Sequence, residues 1–116
     1  MNNRFLKHKI IRLRCKKAYP SAHTHIIIGL VIEENDSYVV VKGKTFHFSR
    51  LVEGMPNQIH AGPTMVRIVP WENVEIINWL PDDVNWDTGF AFDKSGNLIL
   101  QDKNSTIIAE RRDGAR

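Results

Sequence analysis

Apolar and polar residues alternate over residues 9–16, with Ile11, Leu13 and Cys15 on one side and Arg12, Arg14 and Lys16 on the other. A period of two is that of a half-buried strand, and the wet face of this one is basic. A helix over residues 4–17 is the competing reading, but its apolar positions hold no 3.6-residue period. A short helical turn near residues 4–8 is compatible with either. Residues 18–22 read as a loop, because Pro20 limits continuation of a strand. The next run, about residues 23–34, is apolar on both faces. Ile26, Ile28, Leu30 and Ile32 fall on one side, and Ile27 and Val31 with Gly29 between them on the other. Such a strand must be covered twice, which is unusual for an antiparallel strand in a small protein. A barrel interior on one side and a partner or the C-terminal segment on the other would do it. Gly29 in mid-strand predicts a sharp bend or a close backbone approach.

A polar turn at Glu33, Glu34, Asn35 and Asp36 leads to a third strand over roughly residues 37–50, with Phe46 and Phe48 as anchors and Gly43 as a bulge or kink. Residues 51–64 are rich in Gly and Pro and read as an excursion loop. Residues 65–77 supply a fourth and a fifth strand, broken at Pro70, Trp71, Glu72 and Asn73. Beyond Pro81 the pattern changes to a β-hairpin, Phe90-Ala91-Phe92 and Leu98-Ile99-Leu100, turning at Asp93–Asn97. A second turn over residues 102–105 precedes a short strand at residues 106–109. The expected fold is therefore mainly β: a small, strongly bent barrel over residues 1–80 with a basic first strand. A C-terminal β-hairpin extension, residues 81–116, is expected to pack on it as a meander within one compact domain.

The chain has 116 residues, 42% hydrophobic and 25% charged, an ordinary globular composition rather than a disordered one. No apolar run reaches the roughly 20 residues of a membrane helix, and the basic start lacks the apolar core of a signal peptide. A cytoplasmic location without membrane partners is the expectation. Cys15 is the sole cysteine, which rules out an intrachain disulfide. The net charge of +3 is unevenly spread: residues 1–17 carry +7 with no acid, and residues 18–110 carry −6. A basic segment on an acidic body has three readings: nucleic-acid contact, complementarity between neighbouring copies, or a strand edge kept soluble by charge.

Chemistry is sparse. No phosphate-cradling Gly-rich loop, His-Glu-x-x-His, Gly-x-Ser-x-Gly or Cys-x-x-Cys is present, so neither an enzyme nor a cofactor is expected. His23-x-His25 puts two imidazoles on one face of a strand, the best metal-like spacing, but no third ligand is identifiable and a polar strand start explains it. Asp82, Asp83, Asp87 and Asp93 read as solvated loop acids, and the Asp93–Asn97 stretch lacks the later ligands of a calcium loop. Trp71, Trp79, Trp86, Tyr19 and Tyr38 are possible base-stacking platforms, Trp71 above all because a strand-to-strand turn could expose it, although a tryptophan in a small barrel is more often core or interface.

The blocks Gly29-Leu30-Val31-Ile32-Glu33-Glu34-Asn35-Asp36 and Val66-Arg67-Ile68-Val69-Pro70-Trp71-Glu72-Asn73-Val74 resemble the two halves of an Sm-like (LSm-type) β-barrel, a member of the SH3-like architectures. The resemblance covers about residues 9–80 and excludes the C-terminal extension. It departs where the family reads a base: Val40 stands where an asparagine is usual, and Pro70-Trp71 where Arg-Gly is usual. What the resemblance implies is assembly, in which the fourth strand of one subunit pairs with the fifth of its neighbour to close a homo-oligomeric ring. RNA or single-stranded nucleic acid would then be held electrostatically, with little sequence selectivity. The expected contacts are Arg12, Arg14, Lys16 and Lys17 of the first strand, with Lys42, Lys44, Arg67 and Trp71 in support. The alternatives are a structural or adaptor module whose basic segment docks on a neighbour's acidic surface, and a monomeric SH3-like peptide-binding domain.

Overall fold

A computed structural model of the chain describes residues 5–19, 22–49 and 58–111. Residues 1–3, Arg4, Pro20, Arg50, residues 51–57 of the excursion loop, and Arg112, Asp113 and Arg116 lie outside them. The described residues are mainly β and fold into two antiparallel sheets. The strands are β1 (Ile10–Cys15), β2 (Thr24–Glu34), β3 (Tyr38–Phe48), β4 (His60–Ala61), β5 (Met65–Pro70), β6 (Val74–Leu80), β7 (Phe90–Phe92), β8 (Leu98–Leu100) and β9 (Ile107–Ala109). The larger sheet has the order β6–β1–β2–β3–β5, with the short β4 beside the far end of β3. The smaller sheet is β7–β8–β9.

The apolar pattern explains the layering. On one face of the large sheet Ile11, Leu13, Ile27, Val31, Val39, Val41 and Val69 form a buried cluster inside the curl of the sheet. On the other face Ile10, Ile26, Ile28, Phe46 and Phe48 meet Leu98, Leu100, Ile108 and Ala109 of the small sheet. Strand β2 contributes to both clusters, so its two-sided apolar run is buried twice within one chain: Ile26 and Ile28 are 2% and 0% exposed, and Ile27 and Val31 4% and 0%. The curl stops short of a barrel. Strands β5 and β6, joined by a single 3₁₀ turn at Trp71–Asn73, each pair with one inner strand and make no ladder with each other among the described residues.

The bend depends on two glycines. Gly29 of β2 stands directly opposite Gly43 of β3. A Cβ built on Gly29 would overlap the Lys42 carbonyl, and one built on Gly43 would overlap the Ile28 carbonyl. These are backbone atoms of the partner strand, which no rotamer change can move aside. The register shift expected at Gly43 falls instead in β2, between Val31 and Glu33. Residues 5–8 form a turn rather than a helix. It is pinned by the buried Glu34, whose Oε1 accepts the backbone N–H groups of Leu6 at 2.5 Å and Lys7 at 3.2 Å. Strand β4 lies inside the stretch read as loop, because two residues are too short to show periodicity.

Substituting valine for Gly29 or Gly43 is expected to destabilise the protein by about 3 kcal/mol or more, the upper range for overpacking, because strand separation is the available relief. Urea unfolding midpoints measure this; an unchanged midpoint would contradict the close approach.

Candidate functional site

Three surface features are candidates: the two open edges, the basic residues and a row of histidines. The edges come first because they follow from topology. Among the described residues strand β5 pairs only with β3, and β6 only with β1, so each leaves a row of backbone donors and acceptors facing outward. Edge strands of monomers are ordinarily blunted by charge, bulges or brevity. Here β5 has six residues and β6 seven. Apolar side chains crowd both: Met65, Val66 and Ile68 are 53%, 53% and 64% exposed, and Ile76 and Trp79 50% and 57%. Register fixes their sides. Val66 and Ile68 stand opposite Lys42 and Val40, and Ile76 opposite Arg14. All three therefore lie on the outer face of the sheet, the face that carries Ile10, Ile26 and Ile28. Phe5 meets Trp79 edge to face at 5.0 Å, and Lys9 Nζ lies 5.2 Å from the Trp79 ring, so the end of β6 carries an aromatic patch beside a cation.

Among the described residues most of the expected basic contacts are engaged within the chain. Arg12 donates from Nη1 to the Ile107 carbonyl at 2.9 Å and from Nη2 to Asn78 Oδ1 at 2.8 Å, tying β1 to β9 and to β6. Arg14 pairs with Glu75 at 3.4 Å. Lys44 donates to the Thr88 carbonyl and pairs with Asp87 at 3.5 Å, bridging the sheets from the opposite flank. Arg67 lies on the inner face and donates to the Gly43 and Pro63 carbonyls. Lys42 points to the outer face and is exposed; Lys16 and Lys17, past the end of β1, are exposed and half-exposed. Trp71 is half-buried on the inner cluster, and its Nε1 donates to the Asn35 carbonyl at 2.6 Å. That bond docks the 3₁₀ turn on the β2–β3 turn, where Asn35 Oδ1 accepts the N–H groups of Ser37 and Tyr38.

Sequence reasoning selected His23 and His25 and missed their partners. His25 stands opposite His47, and His47 opposite His60, so the imidazoles run across β2, β3 and β4. The His25 and His47 rings stack at 5.0 Å and 7°, and those of His47 and His60 at 4.8 Å and 19°. His47 and His60 lie far along the chain from His25, and only the strand register brings them together. Burial and then His23 hold His25 below the ordinary imidazole range. Burial, followed by His25, His60 and His23, does the same to His47. Cys15 is half-buried, and burial raises its thiol, which makes it an apolar strand residue rather than a nucleophile.

No family model, curated protein or solved structure matches the chain. Among the described residues no helix is long and apolar enough to cross a membrane.

Because His25 and His47 titrate lower in the folded protein than in the unfolded chain, the unfolded chain takes up protons first on acidification. Stability is therefore full above the ordinary value of 6.5 and is expected to fall as pH drops below it toward the lowered folded values. Thermal midpoints between about pH 8 and pH 5 measure the slope. Replacing His47 by Gln is expected to flatten it, and an unchanged slope would sink this assignment.

Proposed function

We propose that the chain is a non-enzymatic, Sm-like assembly module whose copies close into a homo-oligomeric ring by pairing β5 of one subunit with β6 of the next. The observation that carries this reading is the pair of open, apolar edges at opposite ends of one bent sheet. The strand order β6–β1–β2–β3–β5 puts the two strands joined by the 3₁₀ turn, β5 and β6, at its two ends. Pairing two different edges is a heterologous contact, which closes into a ring when the rotation per subunit permits. It would satisfy the outward backbone groups of both strands and bring Val66 and Ile68 toward Ile76 of the neighbour on a shared outer face. The basic segment is tied within the chain: Arg12 and Arg14 hold β1 to its neighbours, and Lys7 pairs with Glu33 at 3.6 Å.

A second reading adds RNA or single-stranded nucleic acid bound on the ring, favoured by Lys16, Lys17 and Lys42, whose charges stand on the outer surface. Such binding would be electrostatic. The inner-face position of Arg67 and the packed indole of Trp71 limit base reading.

Light-scattering mass is expected to give a multimer that persists in about 1 M salt, because apolar edge pairing is not screened. Ile68→Lys and Ile76→Lys are each expected to yield a folded monomer, since both positions are exposed and substitution there changes stability by only about 0.5 kcal/mol. A wild-type monomer would refute the ring.

Oligo-uridine affinity separates the two readings. If RNA is bound through the outer lysines, Lys16→Glu with Lys17→Glu abolishes binding without changing the mass, and affinity falls steeply with salt. A multimer indifferent to oligo-uridine leaves the assembly role alone.

A further inference from the structure

Four of the five histidines of the chain, His23, His25, His47 and His60, sit on one small area where β2, β3 and β4 end. Packing alone does not call for such a row. Three of the four are exposed, and His47 is half-buried. The rings of His23, His25 and His60 each stack on that of His47, at centroid distances of 5.7, 5.0 and 4.8 Å. Neutral imidazole is the form that ligates a metal. We propose that this row is a binding site for a divalent transition ion of the zinc class, with His23 and His47 as its nearest pair and His25 or His60 as the third ligand.

The geometry of the pair is the first support. The Nδ1 atoms of His23 and His47 are 3.5 Å apart. Two nitrogens bound tetrahedrally at about 2.0–2.1 Å stand about 3.3–3.4 Å from each other, so the separation matches, and the two rings, stacked at 5.7 Å and 30°, need only turn their lone pairs toward a shared ion. Two Nδ1 atoms at this distance cannot both carry hydrogens aimed at each other, so at least one lone pair faces the gap.

The second support is the supply of further ligands. Among the described residues no three metal-ligating side chains already converge on one point, and the rings of His23, His25 and His60 all stack on His47. Both side chains are exposed, so rotation about their side-chain bonds is open to them, and each starts within 5.0 Å of the His47 ring. An all-imidazole site selects zinc, copper or nickel over magnesium or calcium, which require oxygen ligands. Arg67, on the same face of the sheet, turns its guanidinium to the Gly43 and Pro63 carbonyls. Ion binding here would tie β4 and the start of β2 to β3. It does not depend on the ring reading, because the row lies at the other end of β3 from its ladder with β5.

Titration calorimetry of the whole chain with zinc chloride at about pH 7.5 tests the site. The expected result is one ion per chain, with affinity reduced about tenfold or more by His23→Ala and by His47→Gln. His8→Asn, outside the row, should have no effect. Cobalt(II) in place of zinc should give the visible absorption of a tetrahedral site. Binding should fade toward about pH 5.5, where protons compete for the same nitrogens. His23 precedes β2 and is exposed, so its replacement keeps the fold, which thermal unfolding verifies. Absent binding, or binding that His23→Ala and His47→Gln leave unchanged in folded protein, overturns the proposal.

Discussion

Strand β2 is buried on both faces, and the rest of the molecule is arranged around that requirement. Ile27 and Val31 need an interior, which the curled sheet supplies. Ile26 and Ile28 need a second cover, which the β7–β9 sheet supplies. The curl in turn depends on Gly29 facing Gly43, where any side chain would meet the partner backbone. The curl stops short of closure among the described residues, which leaves the two ends of the strand order, β5 and β6, as edges. The assembly reading rests on those open edges.

The charges take their meaning from this framework. A segment as basic as residues 1–17 invites a nucleic-acid interpretation when read as a string. In the fold, Arg12 reaches across to β9, Arg14 pairs on the neighbouring strand, and Lys44 anchors the small sheet from its other flank. Arginine suits such ties because its planar fork donates in two directions at once, as Arg12 does to Asn78 and the Ile107 carbonyl. Of the residues expected to contact nucleic acid, Lys16 and Lys42 are exposed and Lys17 half-exposed.

The sequence made the strands legible because their periodicity is strong. The double burial of β2, the turn after Glu34, the break at Pro70 and the hairpin around Gly96 could all be read from residue pattern and turn chemistry. Closure could not. Whether β5 meets β6 is decided by the sheet's curvature, a sum of small twists along every strand, and the sheet stays open. Side-chain placement was legible only within a strand. His23 and His25 could be paired by their spacing, whereas His47 and His60 joined them through cross-strand register. Lys42 and Arg67 sit on opposite faces for the same reason. Trp71 could be read as a stacking platform or, more commonly, as a core or interface residue; it is half-buried, and its indole donates to the Asn35 carbonyl. The outward apolar residues of β5 did leave a signal: Met65, Val66, Ile68 and Val69 are apolar on both sides of one strand, a pattern that a single buried face does not explain.

Amide hydrogen exchange, followed by mass spectrometry at high and low protein concentration, tests the central claim most directly. If β5 and β6 pair between copies, exchange in residues 65–70 and 74–80 slows as concentration rises, while the inner strands β1–β3 stay equally protected throughout. Fast exchange at both edges, independent of concentration and with monomer mass, would contradict the account.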